Sequence, residues 1–102
     1  MAIACTHLGQ IHPVSPRTDR CEECLKTGDE WVHLRLCLVC GHVGCCDSSK
    51  NKHATAHFHA TGHPVMRSAE PGEDWGWCYV DGVMIPAVRR YLRRNAGHGG
   101  GA

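Results

Sequence analysis

The chain has 102 residues, 21% of them charged, and a formal net charge of +1, which leaves room for one domain and gives no global electrostatic reason to hold a polyanion. One Phe, six Leu and three Ile are a thin apolar supply, and a domain this small buries too little surface to fold without disulfides, metal or a partner. No run nears the ~18 apolar residues of a membrane span, and no basic segment followed by an apolar run marks export, so a reducing cytoplasm is expected.

Residues 1–20, with Pro13 and Pro16, read as an extended, loop-rich arm. Cys21 to Gly28 reads as a metal turn and an exposed loop. Residues 31–38 alternate and favour a strand, and Gly41 to Gly44 makes a short return strand or turn. Asp47 and Ser48 are good N-caps, so a helix is expected from there to about Ala60, stopped by Gly62 and Pro64. Residues 64–68 form a short strand, Pro71-Gly72 a turn, and residues 75–80 another strand. A last helix is expected over roughly Pro86 to Asn95, with Val88 and Leu92 facing inward. The domain is expected to span 1–96, with a flexible Gly-rich tail over 97–102.

The chemistry lies in eight cysteines and nine histidines. Eight cysteines also allow four disulfides, but a reducing compartment favours metal. Cys21-x2-Cys24 and Cys37-x2-Cys40 each offer two thiolates from a tight turn. Cys45, His53, His57 and His63 follow, and this pattern points to structural zinc, which prefers tetrahedral sulfur and nitrogen. On a helix, His53 and His57 lie one turn apart on one face, and such a pair often binds a single metal.

The run from Cys21 to His63, with Cys40-Gly-His-Val-Gly-Cys45 and Trp77-Cys78-Tyr79, resembles the ubiquitin-specific-protease-type (UBP-type) zinc finger in its small free-standing bacterial form. The resemblance implies that the helix histidines serve different metals. One set is Cys21, Cys24, Cys45 and His53; the other is Cys37, Cys40, His57 and His63. Members with three zincs add a Cys-x-His and a late Cys-x2-Cys; here that implies Cys5, His7, Cys78 and Asp81, a carboxylate replacing the last thiol. Two or three Zn2+ per chain are expected. Every site closes with four protein ligands, so the metals are read as structural, and no enzyme is expected. The implied fold is α+β: a small twisted antiparallel sheet, a central helix bearing His53 and His57, and a C-terminal helix. His12, His33, His42, His59 and His98 are left as solvent-facing groups or groups that orient a ligand, and Cys46 as a packed side chain.

The family grips the free C-terminal Gly-Gly of ubiquitin. The resemblance assigns that grip to an Arg in a Cys-Gly-Arg step, an aromatic before the second Cys pair, and the Trp and Tyr of Trp-Cys-Tyr. Trp77 and Tyr79 match. Asp47 stands in place of the Arg, and Arg35 in place of the aromatic. At an effective dielectric near 20, a carboxylate about 4 Å from Asp47 is repelled by about 4 kcal/mol, roughly a thousandfold in affinity. That weighs against ubiquitin. Trp75, Trp77 and Tyr79 near Glu73, Asp74 and Asp47 suit a basic or neutral peptide segment instead. The expectation is a monomeric protein-interaction module. Its alternative is nucleic-acid binding by Arg89, Arg90, Arg93 and Arg94 on one side of the last helix.

Overall fold

The alternating segment after Trp31 does form a strand, but a shorter one than its pattern suggests. A computed structural model describes residues 5–100, with side chains through residue 94. The elements run α1 (Glu22–Thr27), β1 (Leu34–Cys37), β2 (Val43–Cys45), α2 (His53–Thr61), β3 (Val65–Ser68), β4 (Trp75–Cys78), β5 (Val83–Pro86) and α3 (Arg89–Gly100). The five strands form one antiparallel sheet in the order β2-β1-β3-β4-β5. The α+β expectation, with its antiparallel sheet and two helices, holds.

Alternation sorts the sheet into two faces. Leu36, Val43, Val65, Cys78 and Ile85 share one face and are buried with Val88, just before α3, and Leu92 in its first turn. Val88 and Leu92 thus point inward as expected. Ile11, 1% exposed, enters the same core from the N-terminal arm, where the His12 N–H bonds the Leu38 carbonyl at 3.2 Å. Arg35, Cys37, Met66, Trp75, Trp77 and Met84 lie on the opposite face. There α2 packs across β1 and β2. Its approach depends on Gly44: a Cβ at that position would meet the backbone nitrogen of Ala54 at 2.6 Å. Among the described residues, no helix residue lines the cleft over Met66, Trp75, Trp77 and Met84 on this face.

Several boundaries differ from the sequence reading. Cys21 to Gly28 is a short helix, ended by Gly28 at φ 74° with its N–H on the Cys24 carbonyl. Strand β1 begins at Leu34 because the Val32 N–H goes to the Ser49 hydroxyl (2.8 Å). Helix α2 begins at His53, not at Asp47 or Ser48. Ser49 holds Val32, and the Asn51 amide donates to Asp29 (2.9 Å), so this stretch serves as a clasp. Strand β4 ends at Cys78, and Gly82 at φ 65° closes a turn into β5. Pro86, read as the start of the last helix, therefore ends an edge strand over Val83–Pro86, where proline is tolerated. Helix α3 starts at Arg89 and runs to Gly100, so residues 97–100 of the expected tail are helical; 101–102 lie outside the described residues. Among the described residues no helix is long and apolar enough to cross a membrane.

Candidate metal centres and a candidate peptide cleft

Three groups of four ligand atoms converge, each group with all its atoms within 4.8 Å of one another: Cys21, Cys24, Cys45 and His53; Cys37, Cys40, His57 and His63; Cys5, His7, Cys78 and Asp81. These are the three sets that the resemblance implied. His53 and His57, one turn apart on α2, point into different groups.

The donor geometry suits zinc. Tetrahedral Zn2+ with bonds of about 2.3 Å to sulfur and about 2.05 Å to nitrogen sets edges of about 3.8 Å between sulfurs and about 3.5 Å from sulfur to nitrogen. In the first group, His53 Nδ1 lies 3.2, 3.3 and 3.6 Å from the sulfurs of Cys21, Cys24 and Cys45, and the Cys24 and Cys45 sulfurs are 4.0 Å apart. In the second, Cys37 Sγ is 3.5 Å from His63 Nδ1 and Cys40 Sγ is 3.4 Å from His57 Nε2. In the third, Cys78 Sγ is 3.4 Å from His7 Nδ1 and 3.7 Å from Asp81 Oδ2. All eight cysteines are free thiols, and a disulfide would need about 2.05 Å.

The first and third groups also carry the partners that a bound thiolate wants. Backbone N–H groups of His7, His53 and Asp81 donate to the sulfurs of Cys5, Cys45 and Cys78 at 3.3, 3.2 and 3.4 Å. Asp81 Oδ2 accepts the Thr6 N–H at 2.6 Å and the Thr6 hydroxyl at 3.0 Å, and the Thr6 backbone bond leads in holding this carboxyl below its usual range. Burial pushes the metal-free Cys21 thiol up to about 12 and Cys5 up to about 11. A divalent cation reverses that preference, because it binds the thiolate. Burial, with His42 and His63 close by, lowers His57 to about 4, so its ring is neutral and free to ligate at pH 7.

His42 is the residue whose place the sequence left open. It is 3% exposed and stacks on His57 with centroids 4.0 Å apart and planes 2° apart. Its Nε2 lies 2.7 and 2.9 Å from the two Glu23 oxygens. Glu23 sits between Cys21 and Cys24 on α1, so the contact ties the first ligand pair to the second group. No spacing rule marks such a stack. Of the other left-over histidines, His12 and His59 are exposed, and His33 lies 2.9 Å from Glu70; the side chain of His98 lies outside the described residues.

The uncovered half of the α2 face forms a cleft of about 270 Å³ lined by Arg35, Asp47, Met66, Trp75, Trp77 and Tyr79, among others. The Arg35 guanidinium lies 4.7 Å from the Trp75 ring centroid. Tyr79 stacks on Phe58 of α2 at 4.7 Å. The Thr55 hydroxyl donates to Asp47 Oδ1 at 2.6 Å and lies 3.4 Å from the Tyr79 hydroxyl. Buried Cys46 joins the lining. The four expected peptide-site residues, Arg35, Asp47, Trp77 and Tyr79, thus meet in one place. Glu73 accepts the Ser68 hydroxyl and feels the charge of Arg35. Asp74 does not join them: it pairs with Arg89 at 3.6 Å.

Three groups of four converging donors, sulfur and nitrogen with one carboxylate in the third, define a zinc-binding module. Residues 21–87 match the family described as "Zn-finger in ubiquitin-hydrolases and other protein", and the chain belongs to it. A Rhodopseudomonas palustris protein with a solution NMR structure is 58% identical, covers 88% of each chain, and superposes with a TM-score of 0.79. The NAD-dependent deacetylase sir2A of Dictyostelium discoideum is 35% identical over 61 residues, which are 60% of this chain but 10% of that enzyme. The chain thus spans about a tenth of the curated relative it matches.

Proposed function

We propose that the domain is a peptide-docking module in which three structural zincs hold the frame and the aromatic cleft holds the ligand. The observation that carries this reading is the pair Trp75 and Trp77, both half-buried on a sheet face that α2 leaves open beside Arg35 and Asp47. Aromatic side chains around a few placed polar groups are the usual composition of a binding site. Each group offers four protein donors, which would fill the tetrahedron of a structural zinc, and this supports binding over catalysis. Seven thiols committed to metal suit a reducing compartment. The match to a tenth of a deacetylase supports a unit that serves larger proteins by docking.

The electrostatics favour a neutral or basic segment over a free C-terminus. Arg35 is the guanidinium in the cleft lining; it shares that lining with Asp47, and Glu73 beside the cleft feels its charge, so one cation stands among two carboxylates. No surplus positive charge remains for a terminal carboxylate, which would want a bidentate Arg of its own. The ubiquitin tail is therefore a poor fit. Titrating the zinc-loaded domain with a Gly-Gly-ended peptide and with its C-terminal amide tests this. The amide is expected to bind at least as tightly, and Trp77→Ala to weaken it about tenfold or more. Tighter binding of the free acid removes the reading.

A further inference from the structure

We propose that a second groove, on the sheet face opposite the aromatic cleft, docks an acidic peptide segment bearing an apolar anchor side chain. Met66 and Arg67, neighbours in β3, line the two clefts from opposite faces. The second groove, about 310 Å³, lies between the N-terminal arm and α3, with Val14, Leu38 and Leu92 as apolar wall and Arg67, Arg89 and Arg93 as charged rim.

The charges there do not balance. Arg89 is paired with Asp74, while Arg67 and Arg93 are in no ion pair among the described residues. Three guanidiniums thus face one carboxylate. Arg67 is half-buried, its Nη1 donating to the Ser68 carbonyl at 2.8 Å. Burial first, and Arg89 second, hold its pKa below the ordinary range, the condition of a cation that an incoming carboxylate would relieve. The whole chain carries only +1, so the groove's three arginines against Asp74 exceed the net charge of the whole molecule. A phosphate backbone would meet the arginines but has nothing to fill the apolar wall. A peptide with Asp or Glu beside Leu meets both.

The test uses the full zinc-loaded chain and fluorescence anisotropy with a capped, amidated peptide carrying one Leu flanked by Asp and Glu. Three further probes are the same peptide with Asn and Gln, the same with glycine in place of leucine, and a random-sequence DNA duplex. Binding of the acidic peptide is expected to fall about tenfold with Arg67→Gln and about threefold with the exposed Arg93→Ser. It is expected to weaken when the leucine is removed and to be unchanged in Trp77→Ala, which separates this groove from the aromatic cleft. Lack of binding, equal binding of the uncharged peptide, indifference to Arg93→Ser, or tighter binding of DNA through the same arginines overturns the proposal.

Discussion

Gly44 sets how closely α2 lies on the sheet. It faces α2 from β2, one residue before the ligand Cys45, and any side chain there collides with the backbone of Ala54. Gly44→Ala is expected to cost about 1–3 kcal/mol in thermal or denaturant unfolding of the zinc-loaded protein, the usual range for overpacking. The same shift would move His53 away from Cys45, so zinc should also leave faster. Asp81 works at the other end of the molecule. With Cys78 it closes a group whose remaining ligands, Cys5 and His7, come from the N-terminal arm. Native mass spectrometry is expected to count three zincs in the natural chain and two in Asp81→Ala. Two in both would remove the third centre and leave Asp81 as a capping residue for Thr6.

At the scale of elements, backbone conformation explains what periodicity did not. Helix α2 starts late because Ser49 and Asn51 are engaged outward, and Lys52 then enters the helix at φ 50°. Ala87 links β5 to α3 at φ 51°. A left-handed L-residue costs roughly 1–2 kcal/mol, part of which glycine's extra unfolded freedom takes back. Ala87→Gly should therefore raise stability by about 0.5–1 kcal/mol, with an unchanged zinc count. A lower melting temperature would show that the Ala87 side chain matters more than its backbone. The edge strand was readable in principle: Asp81-Gly82 between two runs of strand-forming residues is a hairpin signal. Pro86 drew attention to a helix start instead.

For the whole molecule, metal and fold form a single equilibrium. An ordinary thiol carries its proton at neutral pH and zinc binds the thiolate, so binding releases protons and affinity falls as pH falls. The ligand sets hold three, two and two cysteines. Calorimetry at pH 7 in buffers of different ionisation enthalpy should therefore give about seven protons released for three zincs and about five if only the first two groups fill. Chelation is expected to abolish the cooperative unfolding transition. A metal-free chain that keeps its melting transition would show that the apolar core suffices alone.

The converging Cys and His donors, the family and the α+β class were legible through the resemblance to the UBP-type finger, whose spaced ligands survive as a pattern of letters; spacing alone would have given His53 and His57 to one metal. Val88 and Leu92 were legible from a fixed helical repeat. The stack of His42 on His57, the burial of Ile11 from the arm and the parting of Asp74 from the aromatic cleft were not. Each joins segments far apart in the chain, and nothing local constrains which of several similar residues arrives. Only the folded sheet, by placing Met66 and Arg67 on opposite faces, separated an aromatic cleft from a basic groove.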